Sequence, residues 1–456
     1  MTKTKPNVFF ITIDSLRHDH CFGKNRTTKT PNIDSLINSG AYFTQAISSA
    51  DQTGTSLASI YTGLFPCTTG LTHFNFTSEI RTYFDYFKKN GYYTSGYFPD
   101  HNFFTNLSSR LDEKYSYEYN KLESWKNLSG GIGSTIIEKL KDLKDRSPWL
   151  FCIHIMDLHN LFALPEEYND EKHGKNKYEK MLSFIDTWLG KFIETVDLSN
   201  TLIILSSDHG SYIPFSETNP DEIPTIQGFL KKGKKFAPKL ESTGVKALLV
   251  MRKIAKEIRM KNLKTKYSEY ELRSLSNRGK SELFDETIRV PLLFCGYGVS
   301  NNVICHNLVR HVDIFPTISE IIGLETPEIK TDGRSLLPLL KSEVLDELPA
   351  YIETGVSAGD FTEKANPQST GKIIGIRTSL YKYLRDRNDA EEKILFDLKN
   401  DPNELTDISS QNLDIQQELD KILTELLKTK PQQNLNELTD EEQQKAEDLL
   451  KKLGYI

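Results

Sequence analysis

The chain has 456 residues, of which 38% are hydrophobic and 26% are charged, so it can bury a large core and form one big domain plus a smaller one. Its five cysteines are widely scattered, which argues against a disulfide framework and favours a reducing compartment. No segment approaches the roughly 18 to 20 apolar residues that span a bilayer, so we expect a cytoplasmic protein that is at most peripheral to a membrane.

Apolar runs alternate with amphipathic stretches over residues 1–340, the pattern of an α/β fold with a mainly parallel sheet. Five apolar runs predict buried strands, and four amphipathic stretches predict helices. The predicted strands are Asn7–Ile13, Tyr93–Phe98, Trp149–Ile155, Leu202–Ser206 and Val290–Cys295. The predicted helices are Pro31–Asn38, Glu79–Asn90, Lys177–Val196 and His311–Ile322.

Residues 214–280 interrupt this alternation with Pro-rich and then basic sequence, so we interpret them as an insertion. The stretch 231–280 holds 16 Lys/Arg against 4 Asp/Glu, a local charge of +12 against −18 for the remainder. A basic amphipathic helix is predicted over Val245–Met260. Such charge favours an anionic surface or partner, although a solvated helical face is an equally good interpretation. No specific nucleic-acid motif is apparent.

From about residue 341 the character changes to shorter apolar runs followed by charged amphipathic stretches. This change predicts a smaller C-terminal α+β region over residues 341–456. Its predicted elements are strands Ala350–Glu353, Ile373–Arg377 and Tyr381–Leu384 and helices near 412–428 and 439–452.

Acidic and imidazole side chains cluster at the ends of three predicted strands. Ligands of open α/β sheets collect at the carboxyl ends of strands, and oxygen and imidazole ligands suit a divalent metal. Each cluster alone is weak, because Asp and Gly are also common turn residues. The side chains are Asp14 after the first strand, His154, Asp157 and His159 around the end of the third, and Asp208 and His209 after the fourth.

The order of several motifs along the chain carries more information than any one of them. The motifs are residues 7–23 (NVFFITIDSLRHDHCFG), 51–66 (DQTGTSLASIYTGLFP), 152–159 (CIHIMDLH), 206–210 (SSDHG), 280–292 (KSELFDETIRVPL) and 311–317 (HVDIFPT). In this order they resemble the sulfatase branch of the alkaline phosphatase superfamily, over nearly the whole chain apart from the insertion. The resemblance implies a sandwich with a large, mainly parallel central sheet, helices on both faces, and a catalytic domain over 1–340.

The resemblance also implies a metal site and a nucleophile. By correspondence of motifs, Asp14, Asp208 and His209 bind a divalent metal together with the oxygen of Thr53. Thr53 then attacks phosphorus and forms a covalent phospho-enzyme. One metal is expected, manganese or zinc, with calcium and magnesium as alternatives that the ligand set does not separate.

Other residues are expected around the substrate. Lys280 neutralises non-bridging oxygens, and His159 binds the substrate or protonates the leaving group. His154 is a substrate-binding candidate, although a core histidine is the simpler interpretation, and Asn75 is a phosphate-contacting candidate that fits a turn asparagine better. A second-metal role for His306 and His311 is a minor alternative.

Four departures from the sulfatase pattern shift the expected chemistry from sulfate to phosphate. Sulfatases oxidise a Cys or Ser to formylglycine at the position of Thr53, and threonine cannot form that aldehyde. Leu57 replaces the arginine that steadies formylglycine, and Ser15 replaces the second aspartate of the calcium site. The Lys-x-His expected within Tyr92–His101 is also missing.

We therefore expect a metal-dependent hydrolase of phosphomonoesters, phosphodiesters or phosphonate esters, or a phosphotransferase, that acts on a small-molecule or glycan-linked phosphate ester. A catalytically degenerate binding protein is the alternative from another class. A true sulfuric ester hydrolase is a third alternative.

Overall fold

A computed structural model describes residues 5–24, 26–118, 128–159, 164–213, 261, 263–276, 283–325, 330–355 and 372–428. The chain divides into two compact units, one of Met1–Ser211 with Ser281–Ile456 and the other of Tyr212–Lys280. In the second unit the structure describes a helix over Glu269–Ser276. The predicted helices Val245–Met260 and 439–452, and most of the basic stretch 231–280, lie outside the described residues, so their structure and the docking role stay predictions.

A mainly parallel sheet of eight strands forms the centre of the first unit, which confirms the predicted α/β fold with a large parallel sheet. The strand order is β4-β3-β5-β1-β6-β7-β2-β8, and β7 alone runs antiparallel to its neighbours β6 and β2. The strands are β1 Asn7–Ile13, β2 Gly40–Ile47, β3 Tyr93–Pro99, β4 Glu113–Tyr117, β5 Trp149–Ile155, β6 Thr201–Ser206, β7 Arg289–Gly296 and β8 Val303–Arg310.

Strand β1 lies in the middle of this sheet, between β5 and β6. Every residue of these three strands is buried, as expected of parallel strands covered on both faces. Thr12 pairs with His154 on one side and with Ser206 on the other. The polar residues that follow the three strands therefore meet at one edge of the sheet.

Helices of the first unit flank its large sheet; the predicted helix Pro31–Asn38 has the predicted bounds, and the other three predicted helices have changed ends. The predicted helix Glu79–Asn90 begins only at Tyr83, because Thr82 caps it: the Thr82 amide donates to Asp85 Oδ2 at 3.0 Å. The helices are α1 Pro31–Asn38, α2 Thr53–Thr62, α3 Pro66–Thr69, α4 Tyr83–Lys89, α5 Asn102–Ser108, α6 Gly133–Asp142, α7 Lys177–Thr195, α8 Glu269–Ser276, α9 Asp285–Ile288, α10 Ile314–Ile322, α11 Leu337–Leu340 and α12 Leu413–Leu427. None of the helices in the described part of the chain is long and apolar enough to cross a membrane.

A smaller antiparallel sheet follows the large one and belongs to the same compact unit. Helix α12 packs on it through Leu419 and Leu423, which share a core with Ile374 and Ile376. This confirms the small α+β region predicted at the C-terminal end. The strands are β9 Ala350–Glu353, β10 Ile373–Arg377, β11 Tyr381–Asp386 and β12 Lys393–Asp397, in the order β12-β11-β10-β9.

A buried ion cluster joins the smaller sheet to helix α9. The Lys382 ammonium is fully buried and lies 2.7 Å from Asp285 Oδ1 and 2.5 Å from Glu404 Oε1. Arg377 adds a second cation, 3.0 Å from Asp285 Oδ2. Helix α9 in turn contacts the strand-end edge of the large sheet, because the Gly210 amide donates to the Thr287 carbonyl at 2.8 Å.

We predict that Lys382→Met lowers the free energy of unfolding by about 3–5 kcal/mol, because it leaves buried carboxylates without their ammonium partner. Urea denaturation measures this change. Lys372→Met is the matched control, since the Lys372 side chain is 71% exposed and lies 3.6 Å from Asp386; we expect a change of at most about 1 kcal/mol. Equal effects of the two substitutions would contradict a special role for the buried lysine.

Candidate active site

The Asp14 carboxylate is the centre of the strand-end cluster. It is fully buried, and it accepts hydrogen bonds from Ser15 Oγ at 2.6 Å and from Thr53 Oγ1 at 3.2 Å. His159 Nδ1 lies 3.2 Å from Asp14 Oδ1. Burial alone would raise the pKa of Asp14, but the attraction of His159 and the other neighbouring imidazoles holds that pKa well below its usual value.

The turn that follows β1 brings Asp14 and Asp208 together. Ser15 has a positive φ of 61°, an uncommon backbone conformation for a residue other than glycine. In this conformation its amide donates to Asp208 Oδ1 at 3.1 Å, and the His209 amide donates to the same oxygen at 2.8 Å. The other oxygen, Asp208 Oδ2, is buried and has no hydrogen-bond partner among the described residues.

The hydrogen bonds around His154 determine which ring nitrogen carries the proton. Thr12 Oγ1 has one hydrogen, which it donates to the Ile153 carbonyl at 2.9 Å. His154 Nδ1, 2.9 Å from the same oxygen, must therefore be the donor. Nε2 is left with its lone pair, 3.6 Å from Asp14 Oδ2, buried and without a hydrogen bond in the described part of the chain.

The proton of the neutral His209 ring is placed in the same way. His209 Nδ1 lies 2.7 Å from the Gly210 carbonyl oxygen, which can only accept a hydrogen bond, so Nδ1 is the donor. The lone pair on Nε2 then lies 3.3 Å from Thr53 Oγ1 and 3.4 Å from Asp208 Oδ2. Burial lowers the pKa of His209, but the Asp208 and Asp14 carboxylates raise it by more.

This donor set fits a divalent cation. Ligand atoms of Asp14, His154 and Asp208 lie within 4.8 Å of one another, and all three residues are buried. Of these ligand atoms, Asp208 Oδ2 and the unprotonated His154 Nε2 are buried without a hydrogen-bonding partner in the described part of the chain, and a cation beside the two carboxylates would satisfy both. The arrangement places His154, which we had considered as a substrate-binding candidate or more simply as a core histidine, beside the predicted ligands Asp14 and Asp208. His209 Nε2 lies 3.4 Å from Asp208 Oδ2.

Thr53 is the first residue of α2, and its hydroxyl group points to this cluster. The residue before it, Gln52, makes no capping hydrogen bond with its side chain, so the amide groups of the first turn remain oriented toward whatever binds there. Leu57 lies one turn further on and is fully buried in the main core. The position that holds an arginine in the sulfatase pattern is therefore occupied here by an apolar core side chain.

The remaining predicted residues lie in different surroundings. Asn75 is buried, and its Oδ1 accepts the Thr72 amide hydrogen at 2.7 Å while its Nδ2 donates to the Gly70 carbonyl at 2.9 Å, as a turn asparagine does. His306 contacts Thr44 at 3.2 Å, away from this cluster on β8. Lys280 lies outside the described residues, so its role stays a prediction.

His311 and Asp157 are buried behind the cluster. His311 Nδ1 lies 3.0 Å from Ser56 Oγ, and burial lowers the His311 pKa to about 3. Asp157 Oδ1 accepts the Leu128 amide hydrogen at 3.1 Å, and burial raises its pKa to about 7. These contacts are within the fold, and neither side chain belongs to the group of converging ligand atoms.

Two histidines that the sequence analysis did not select lie beside α2. His73 and His101 contact each other through their Nε2 atoms at 3.2 Å, and the ring of His73 lies against Gly54. His101 ends the stretch Tyr92–His101, in which a Lys-x-His was expected. Its position shortly after β3 could therefore have marked it as a candidate site residue. His73 had no such signal, because its contact with Gly54 depends on the path of the loop after α3.

The large parallel sheet, with carboxylates and imidazoles at its carboxyl edge, is consistent with a hydrolase of the alkaline phosphatase superfamily. The family model described as Sulfatase matches residues 6–324, and the model described as N-sulphoglucosamine sulphohydrolase, C-terminal, matches residues 278–431. The chain belongs to the sulfatase family, which generally binds a divalent metal.

Similar proteins include both sulfatases and a phosphonate hydrolase. Arylsulfatase K of Gallus gallus is 23% identical over 93% of this chain and 83% of its own length, and that of Mus musculus is 30% identical over 32% and 26%. The phosphonate monoester hydrolase of Agrobacterium radiobacter superposes with a TM-score of 0.66 at 16% identity, covering 92% of this chain and 95% of its own. A 2-O GAG sulfatase has a TM-score of 0.63 at 15% identity over 93% and 92%. Most of the arylsulfatase K alignments span about a quarter of those relatives' length, and the structural likenesses show the fold alone.

We predict that adding manganese or zinc stabilises the wild-type chain, by about 2.7 kcal/mol at a hundredfold excess over the dissociation constant, and that Asp208→Asn abolishes this gain. The substitution keeps the side-chain size but removes the charge that the unpaired Oδ2 presents. Urea denaturation with and without each metal measures the difference. Asp170→Asn, at an exposed carboxylate, is the control and should keep the full gain. Equal gains in the Asp208→Asn variant and the wild type would contradict the site.

Proposed function

We propose that this protein is a metal-dependent hydrolase of phosphate esters in which Thr53 is the nucleophile. The position of the Thr53 hydroxyl supports the proposal most strongly: it lies 3.2 Å from Asp14 Oδ2 and 3.3 Å from His209 Nε2 at the first residue of a helix. Among the described residues, no other hydroxyl group bridges the Asp14 carboxylate and the His209 imidazole.

The chemistry of threonine favours phosphate over sulfate. The Thr53 side chain is a secondary alcohol, so its oxidation gives a ketone and not the aldehyde that sulfatases use. A phosphate ester needs no aldehyde, because an oxygen nucleophile can displace the alcohol directly. The buried Leu57 agrees with this difference, since no cation is needed there to steady an aldehyde hydrate.

The residues of the chain then divide the reaction into two steps. In the first, Thr53 Oγ1 forms a bond to phosphorus, the bond from phosphorus to the alcohol breaks, and the hydroxyl proton leaves to water. In the second, a water molecule attacks phosphorus, the bond to Oγ1 breaks, and Thr53 regains its proton. A bound divalent cation, manganese or zinc in our proposal, supplies Lewis-acid polarisation of the ester.

His159 is our candidate for proton donation to the departing alcohol. Its Nδ1 faces Asp14 Oδ1 at 3.2 Å, which orients the ring and stabilises its charged form. Its Nε2 has no partner among the described residues, and the side chain is 38% exposed. An imidazole that contacts a carboxylate through one nitrogen and is accessible at the other can transfer a proton to a bound substrate.

The substrate that we propose is a small-molecule or glycan-linked phosphate ester, with Lys280 as a further contact to its non-bridging oxygens. Transfer of the phosphoryl group to an alcohol instead of water uses the same first step. Hydrolysis of a sulfuric ester is the second candidate function, because the family and the similar arylsulfatase K proteins favour it.

We predict that Thr53→Val, which keeps the side-chain shape but removes the hydroxyl, lowers kcat/KM by on the order of 10³-fold or more. Release of p-nitrophenol from phosphomonoester, phosphodiester, phosphonate and sulfate substrates measures it with the metal-loaded protein. Thr53→Ser is the matched control and should retain activity within about tenfold, since its hydroxyl remains a nucleophile.

The outcomes of this comparison separate the candidates. Undiminished turnover of phosphate esters by Thr53→Val would exclude Thr53 as the nucleophile. Turnover of the sulfate ester alone would favour the second candidate. Binding of metal without turnover of any substrate would favour a degenerate binding protein.

A further inference from the structure

The loop that follows α3 brings His73 into close contact with the start of α2. A Cβ atom placed on Gly54 would lie 2.5 Å from His73 Cα, 2.6 Å from His73 Nδ1 and 2.7 Å from His73 Cβ. Real Cβ contacts are longer than this, so only glycine at position 54 allows both the backbone and the ring of His73 to approach this closely. The His73 ring therefore lies directly against the residue that follows the proposed nucleophile.

The second histidine determines where the proton of His73 is. His101 Nδ1 accepts the Phe103 amide hydrogen at 3.3 Å, so in the neutral ring the proton is on Nε2. His101 Nε2 lies 3.2 Å from His73 Nε2 and must donate to it. His73 then carries its own proton on Nδ1, the nitrogen nearest Gly54.

Both rings are neutral in this environment. Burial and the adjacent His101 together lower the pKa of His73 to about 3, with burial the larger cause. Burial also lowers the pKa of His101 to about 4, against the attraction of Asp100. Two neutral rings hold one N–H each, so the direction of the hydrogen bonds from Phe103 through His101 to His73 is unambiguous.

The N–H group of His73 has no acceptor within the described part of the chain, although the rest of the ring is well packed. Phe103 stacks on it, with ring centroids 5.8 Å apart and planes 13° apart. The side chain is partly exposed, and it lies at the end of α2 where the amide groups of the first turn have no acceptor within the helix. An anionic oxygen of a bound substrate would supply the missing acceptor.

We propose that His73 is a catalytic residue that donates Nδ1–H to a non-bridging oxygen of the ester that Thr53 attacks, and that His101 is a positioning residue that fixes the His73 tautomer. This inference rests on the proposed function for the identity of the ester. The hydrogen bond from a neutral donor that is held in place becomes stronger as negative charge develops on the accepting oxygen. Gly54 is then required because it allows this contact.

The tautomer is tested without any activity measurement. Nitrogen NMR of the ring signals, assigned with His73→Phe and His101→Phe variants, distinguishes protonated from unprotonated nitrogens. We expect the proton on Nδ1 in His73 and on Nε2 in His101. In His101→Phe we expect His73 to become a mixture of both tautomers. A proton on Nε2 of His73 in the wild type would overturn the inference.

Ligand contact is tested with inorganic phosphate as the probe, titrated into the metal-loaded protein by calorimetry. An asparagine amide can occupy the place of Nδ1, whereas a glutamine amide reaches that of Nε2. We therefore expect His73→Gln to weaken phosphate binding roughly 10- to 100-fold and His73→Asn to stay within about threefold of wild type. Equal binding by wild type and His73→Gln, or equal weakening in both variants, would overturn the contact.

The same variants separate this inference from the proposed function. His173→Phe, at a ring that packs on Tyr168 and Ser183, is the control for a general effect of losing a histidine and should bind phosphate as wild type does. If Thr53→Val abolishes turnover of phosphate esters while His73→Gln leaves kcat and phosphate affinity unchanged, the proposed function stands and the role of His73 is excluded. Loss of a second equivalent of bound zinc in His73→Phe would instead make the pair a metal site and overturn the proposal.

Discussion

The site depends on one buried carboxylate that needs compensating charge. Asp14 ends the central strand of a sheet covered on both faces, where an ionised group is costly unless partners surround it. The partners come from three directions: the Ser15 turn, the imidazoles of His159 after β5 and His209 after β6, and the Thr53 hydroxyl at the start of α2. A cation between Asp14 and Asp208 would satisfy both carboxylates at once. The position of the proposed nucleophile and the fit of the site to a metal therefore both follow from the same buried charge.

The directions of the hydrogen bonds determine which imidazole nitrogens of this site carry protons. Backbone carbonyl groups and a threonine hydroxyl place the protons of His209 and His154 on Nδ1, and a backbone amide places the proton of His101 on Nε2. Each assignment follows from a group that can only accept or only donate. The result is two lone pairs that converge on the carboxylates and one N–H group, on His73, beside Gly54 at the start of α2. A ligand with a cation-binding oxygen and a hydrogen-bond-accepting oxygen, such as a phosphate ester, matches that pattern.

Much of the fold could be predicted from the sequence, because buried parallel strands are continuous apolar runs. Strands β1 and β5 have the predicted bounds for this reason. Strand β4 was not predicted, since its first four residues alternate between partly buried and exposed at the edge of the sheet and its sequence is polar. Strand β8 was not predicted either, because four of its first five residues are exposed or only partly buried. The carboxylates of the site could be predicted from their positions after strands. The contact of His154 with Asp14 could not, because it depends on the register between β1 and β5. The contact of His73 with Gly54 could not either, because it depends on the path of a loop.

The central claim is that the Thr53 oxygen becomes covalently bonded to phosphorus during turnover. The most direct test is an acid quench of the metal-loaded protein during hydrolysis of a p-nitrophenyl phosphate ester, followed by mass spectrometry of the peptide that contains Thr53. The proposed mechanism predicts a phosphoryl group on Thr53 in wild type and in the corresponding serine of Thr53→Ser, and none in Thr53→Val. Steady turnover with Thr53 unmodified at every quench time, or a phosphoryl group on a different residue, would contradict it.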